Sequence, residues 1–331
     1  MSRANDLWDG NVKANHVRSL AILAAALVAL VIAILLAAPT VTVPAQASRG
    51  EASSITFASD RKATADSPFN VYRMDADGRG PMNRLTDLSG SNVMPTWSPD
   101  GSRIAFVNSG LTGTPDIYRM DADGSNEASL TSGLLFEIEP TWLPGGRKIV
   151  FSDADDLYIM TLDVNGVTTG VPTRLTRNPG VDRQPTVSPS GKRVAFSSDR
   201  DGDYDIYVMK AAPESSTNRP VKLTRNTMPD TLPDWSPNGG RLAFSMGTIG
   251  ARDIYTMKIS LQDIDPPARV TSGAGDDSDP TWSPNGQKVA FSSDRSGDGE
   301  IWVVWADGTN ASNLTSSPAS EDLQPDWQPL Q

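Results

Sequence analysis

The residues of this chain best suited to chemistry are acids set at a fixed offset. Three positions before Pro95, Pro140, Pro185, Pro233, Pro280 and Pro325 stand Asn92, Glu137, Asp182, Asp230, Asp277 and Asp322. Five carboxylates and one amide held close together would repel unless neutralised, so such a set would take Ca2+ or a basic group. The competing reading is structural, because Asp and Asn side chains readily bond nearby backbone and cap turns. A second acidic run, Asp199-Arg200-Asp201-Gly202-Asp203-Tyr204-Asp205, offers calcium oxygens from Asp199, Asp201, Asp203 and Asp205. Its spacing departs from the EF-hand loop, which wants Gly sixth and Glu twelfth, and a polar hairpin tip is the ordinary alternative.

Other chemistries lack their residues. His16 is the single histidine, and there is no cysteine. Beyond the N-terminal tail the chain therefore has no thiolate, no imidazole base to activate a serine, and no His or Cys metal ligand. Carboxylate hydrolysis and oxygen-ligand cation binding remain. The net charge of −11 disfavours nucleic acid and anionic lipid and suits a basic segment of a partner.

What must position these acids is a repeat. The six prolines head a Pro-(Thr/Asp)-(usually Trp)-x-Pro formula at intervals of 45, 45, 48, 47 and 45 residues. A period in that range marks propeller blades. Each repeat continues with a hairpin turn such as Asp100-Gly101, a run such as Ile104-Ala105-Phe106, a loop of variable length, a run such as Asp116-Ile117-Tyr118, and a short run ending in Leu130-Thr131 or its equivalent. Four short strands with turns between them make an antiparallel blade. Prolines four residues apart, as in Pro95 and Pro99, face the same side and so fit an innermost strand, which is a sheet edge. The first repeat lacks its Pro-Trp-Pro strand, and residues 325–329 form such a strand with nothing after it. The expected fold is all-β: a six-bladed propeller of four-stranded blades, with residues 325–329 pairing beside residues 54–58 to close the ring, and with Asn92, Glu137, Asp182, Asp230, Asp277 and Asp322, each just ahead of an innermost strand, surrounding the channel mouth.

Pro95 to Gly101 with Ile104-Ala105-Phe106, Phe196-Ser197-Ser198-Asp199-Arg200 and Asp205-Ile206-Tyr207-Val208-Met209 resemble the TolB-type repeat, a WD-like family of extracytoplasmic β-propellers. The resemblance spans residues 53–331. It departs at Val187, where Trp is usual, and the Ser-Asp-Arg element is complete only at residues 59–61, 198–200 and 293–295. TolB itself carries an α/β domain ahead of its propeller, whereas a short linker precedes Ile55 here.

The N-terminus reads separately. Residues 1–19 form a tail, residues 20–38 an uncharged apolar stretch, and residues 39–52 a linker to the propeller at 53–331. The stretch is long enough to span a bilayer as one hydrophobic helix, and Ala45-Gln46-Ala47 resembles a signal-peptidase site. Arg3, Lys13 and Arg18 before it keep the N-terminus inside and export the propeller, anchored or released. The expected function is an extracytoplasmic, monomeric, non-enzymatic module that binds a protein or peptide, with Ca2+ as the candidate cofactor. The alternatives are a glycoside-type carboxylate hydrolase in the channel, or a regulatory propeller serving a separate peptidase.

Overall fold

The structure, a computed structural model, describes residues 53–330 apart from 111–113, 133–135, 214, 216 and 260–265. The tail, the apolar stretch at 20–38 and the linker to residue 52 lie outside the described residues.

Six four-stranded antiparallel sheets follow one another around a ring. The innermost strands are Asn92–Trp97, Glu137–Trp142, Asp182–Val187, Asp230–Trp235, Asp277–Trp282 and Asp322–Trp327. Blades are numbered by their second strands: Ser54–Ser59 in blade 1, then Arg103–Asn108, Lys148–Asp153, Arg193–Ser198, Arg241–Met246 and Lys288–Ser293 in blades 2 to 6. The last strand of the chain closes the ring. Trp327 stands opposite Ile55 and Asp322 opposite Ser59, so the pairing begins three residues earlier than the prolines alone had suggested. Closure leaves no inner strand without its neighbour.

The second strands are buried on both faces and read as near-continuous apolar runs. Phe57, Phe106, Phe151, Phe196, Phe244 and Phe291 are all at most 1% exposed. The core consists of the contacts between consecutive blades. Trp142, Ile149 and Phe151 of blade 3 pack with Ala105 and Ile117 of blade 2. Trp327 and Phe57 of blade 1 pack with Ala290 and Ile301 of blade 6. Two inner-strand tryptophans also tie blades by hydrogen bonds: Trp142 Nε1 donates to Thr96 O at 3.2 Å and Trp235 Nε1 to Thr186 O at 3.3 Å.

The outer strands stop short, at two residues in every blade but blade 3. The threonine of each Leu-Thr pair explains the stop. Thr131 Oγ1 accepts from Ile117 N at 2.9 Å and Thr224 Oγ1 from Ile206 N at 2.9 Å, so a side chain takes the place of the next ladder carbonyl. The repeated Leu-Thr pairs therefore lie just beyond the outer strands rather than inside them.

Candidate functional site

Every inner strand carries a bulge at the same place. Asn92 and Val93 pair with Asn108 and Val107, and pairing resumes at Thr96 with Ala105, so Met94 and Pro95 together face one residue. The residue before each proline is forced into the left-handed region: φ is 52° at Met94, 57° at Glu139, 56° at Gln184, 56° at Leu232, 53° at Asp279 and 57° at Gln324. None is glycine, and each such conformation costs about 1–2 kcal/mol. A bulge inserts one residue and re-aims the side chains that follow it. Here it reverses the in-out alternation, so the residues just before and just after the proline face the axis.

The axial channel is built from those two layers. One layer is Met94, Glu139, Gln184, Leu232, Asp279 and Gln324, with Arg252 beside it, around a cavity of about 340 Å3. The next is Thr96, Thr141, Thr186, Asp234, Thr281 and Asp326, which also borders a second cavity of about 390 Å3 toward the opposite face. Four carboxylates thus line the first cavity, and its basic residue, Arg252, is already engaged by Asp276.

Neighbouring blades hold the channel side chains in place. Glu139 accepts from Ser152 Oγ and from Gln184 N, both at 2.7 Å. Gln184 Oε1 accepts from Ser197 Oγ at 2.9 Å and from Leu232 N at 3.0 Å. Gln324 Oε1 accepts from Met94 N at 3.0 Å. Asp234 and Asp326 accept from the backbone N–H of Trp282 and Trp97, at 2.9 and 2.6 Å. Burial raises Asp234 to about 6 and Asp326 to about 7, against the lowering pull of those donors. Burial likewise raises Glu139 and Asp279. The channel therefore holds carboxyl groups that titrate near neutral pH.

The acids read from the sequence take other places. Asn92, Glu137, Asp182, Asp230, Asp277 and Asp322 open the inner strands but do not line either axial cavity. All six are at most 6% exposed. The unforeseen bulge is the reason: without it they would share a face with the residue before the proline. In three blades the Ser-Asp-Arg element binds the acid instead. Arg200 contacts both oxygens of Asp182 at 2.9 Å, and Arg61 and Arg295 pair with Asp322 and Asp277. Each arginine also lies over its blade's aromatic pair, Arg200 at 4.9 Å from the Tyr207 ring centre. In blade 2 the pairing is amide to amide, with Asn108 Nδ2 donating to Asn92 Oδ1 at 2.8 Å.

The acidic loop of blade 4 does not assemble a cation site. Asp199 accepts from Val181 N at 2.6 Å, Asp201 accepts from the Tyr207 hydroxyl, and Asp205 pairs with Lys222 and Thr224. Asp203 joins none of those pairings. Among the described residues, no group of three or more His, Asp or Glu is arranged to hold a metal ion. Lys222 Nζ lies 2.5 Å from Asp205 and 3.8 Å from Asp201, so two of the alternating acids already share a counter-ion.

Sequence reasoning missed the residues before the prolines. Their types vary from Met to Asp, and only the bulge makes them equivalent. The layer after the proline was visible as the constant Thr or Asp of the repeat formula. Phe136 and Met228, just ahead of the inner strands of blades 3 and 5, and Ile249, in the loop after the second strand of blade 5, are 60%, 43% and 88% exposed.

Comparison with known proteins agrees with this architecture. The family described as the TolB beta propeller domain (PD40) matches residues 42–169 and 216–330. The Tol-Pal system protein TolB of Bordetella pertussis is 35% identical over 145 residues, covering 43% of this chain and 32% of that protein. A TolB homolog of Chlorobium luteolum is 31% identical over 159 residues, covering 47% and 34%. The chain thus spans about a third of the length of these curated relatives. The crystal structure of TolB from Acinetobacter baumannii superposes with a TM-score of 0.72 at 24% identity, over 84% of this chain and 67% of that one.

Proposed function

The chain belongs to the TolB β-propeller family, and from that premise we propose that it is a non-enzymatic scaffold that receives a basic segment of a protein partner at the acidic mouth of its channel. One observation carries the reading: four carboxylates line the axial cavity, and loops at the end of the blades where the inner strands begin expose Phe136, Met228 and Ile249. Partner surfaces combine apolar anchors with complementary charge, and loops on a rigid ring are where binding is usually built. The acids are held by backbone and side-chain donors of adjacent blades, so they can attract a cation without rearranging. Ca2+ enters as a diffuse counter-ion competing for the same charge, rather than as a coordinated centre. The propeller works outside the cytoplasmic membrane, anchored by residues 20–38 or released near Ala47.

Site-specific photo-cross-linkers at Met228 and Ile249, in the cells that make the protein, test the binding face. A discrete protein adduct is expected from both positions and none from Leu330, which lines the other cavity. Adducts from Leu330 alone would place the partner on the opposite face and reject the reading. Protease treatment of intact spheroplasts checks location, and full protection of the propeller would overturn export.

A further inference from the structure

Blade 3 differs from blades 1, 4 and 6 at one structurally repeated spot; blades 2 and 5 lack the arginine as well, but there the place holds an amide pair, Asn92 with Asn108, or a single acid, Asp230, bound by Asn226 and facing Met246. In blades 1, 4 and 6 an arginine from the loop after the second strand folds back over two aromatic rings and binds the acid that opens the inner strand. Blade 3 keeps the floor of this arrangement. Phe151 and Tyr158 lie 5.9 Å apart at 27°, against 6.0 Å and 26° for Phe196 and Tyr207 in blade 4. It keeps the acid, Glu137, and adds a second, Asp153, directly opposite across the ladder. It lacks the arginine. The second and third strands are joined by two residues, Ala154 and Asp155, where blade 4 uses the six residues 199–204.

Three further observations mark the place as built for a cation. Glu137 and Asp153 are 6% and 9% exposed, and Glu137 Oε2 and Asp153 Oδ1 are buried without a hydrogen-bond partner. Buried carboxylate oxygens in that state need a donor. Tyr158 is partly exposed, whereas Tyr72 and Tyr207 beneath their arginines are 1% and 3% exposed. The other charges facing the pair are acids too. Asp116 of the neighbouring blade adds to Glu137, and Asp156, itself bound by Arg174, adds to Asp153. Burial pushes Glu137 up to about 7, the condition that a bound guanidinium would reverse.

We infer that this place in blade 3 is a receptor slot for an arginine side chain supplied by the protein partner, the counterpart in trans of the arginine that blades 1, 4 and 6 supply in cis. The planar fork of guanidinium meets two carboxylates and stacks on an aromatic face, which an ammonium does not do equally well. Phe136, the residue before Glu137, supplies an apolar contact beside the slot. The inference rests on the reading that this face receives a protein, yet it names a contact separate from the channel.

The test is an amide NMR titration of the full-length chain with N-acetyl-arginine amide, and in parallel with N-acetyl-lysine amide. Saturable shifts at Phe136, Asp153, Leu157 and Tyr158 are expected with the arginine compound, with binding at least tenfold weaker for the lysine compound. Asp153→Asn should weaken arginine binding at least tenfold. Asp153→Ser/Asp155→Arg rebuilds the Ser-x-Arg element in cis, so it should stay folded and no longer take up the probe. Asp326→Asn, in the channel, should bind as the wild type does. Absence of binding to the wild type, unchanged binding to Asp153→Asn, or shifts confined to channel residues such as Gln184 would each overturn the slot. The titration reads the slot and the cross-linking reads the partner, so the two failures are distinguishable.

Discussion

Ser245 shows how a single position reports on the design of the channel. Ser152 and Ser197 donate to Glu139 and Gln184 in their own blades. Ser245 sits at the same place in blade 5, is fully buried, and has no partner for its hydroxyl, because its blade offers Leu232. A stranded buried hydroxyl costs about 1–3 kcal/mol. Leu232→Gln should therefore raise stability by about 1 kcal/mol, since Gln184 and Gln324 already adopt the same left-handed backbone. Urea denaturation checks this, and a destabilised variant would show that the apolar contact of Leu232 outweighs the lost bond. A second expectation concerns pH. Asp234 and Asp326 are raised to about 6 and about 7 in the folded chain, above the ordinary carboxylate value. A raised acid stabilises the fold at pH below its unfolded value and loses that contribution as pH climbs through the folded value. Melting temperature should thus fall between about pH 4 and pH 8, and less steeply in Asp234→Asn/Asp326→Asn. Equal slopes in the two proteins would remove these groups as the cause.

At the scale of the element, the strands were legible and the bulge was not. Apolar runs such as Ile149-Val150-Phe151, turn pairs such as Asp100-Gly101 and the recurring Pro-Trp-Pro segments each belong to a local pattern, and each proved to be the strand or turn expected. The bulge has no residue signature, because Met, Glu, Gln, Leu and Asp all occupy it. Their equal offset before each innermost strand therefore assigned Asp182 and its equivalents to the channel mouth. Their true partners were half visible as the Ser-Asp-Arg element, whose arginine lies 18 residues from its acid in Asp182–Arg200 and closes a blade's inner edge. Removing that arginine strands a fully buried carboxylate. Arg200→Ala should cost about 3–5 kcal/mol, with the aromatic stacking lost as well. Arg200→Lys should recover part of the loss, since charge returns without the bidentate fork. Chemical denaturation of the two variants decides it, and a loss under about 1 kcal/mol in Arg200→Ala would reduce the pair to an ordinary surface ion pair.

At the scale of the whole molecule, closure is the element of the fold most exposed to test. The strand Asp322–Trp327 supplies the inner edge of blade 1, the acid for Arg61, the acceptor for Trp97 N and the indole bond of Trp327 to Ser53 at 2.7 Å. Deleting residues 322–331 removes all of these at once and opens the ring. Loss of cooperative melting and of protease resistance is expected, and an unchanged melt would contradict closure by this strand. The sequence carried this topology because the two incomplete ends complement each other. The identity of the partner was not legible, since a propeller fixes no chemistry by itself and the channel charge arises only when six strands bring Glu139, Asp234, Asp279 and Asp326 to one axis. The most direct measurement is the affinity of the cross-linked partner, once purified, for the wild type and for Glu139→Gln/Asp279→Asn. Both substitutions keep side-chain shape, an amide replacing an isosteric carboxylate, and Gln already stands at positions 184 and 324, equivalent to 139. At least tenfold weaker binding and a shallower dependence on salt are expected for the variant, with melting unchanged or raised. Equal affinity and equal salt dependence would contradict a channel that recruits its partner through charge.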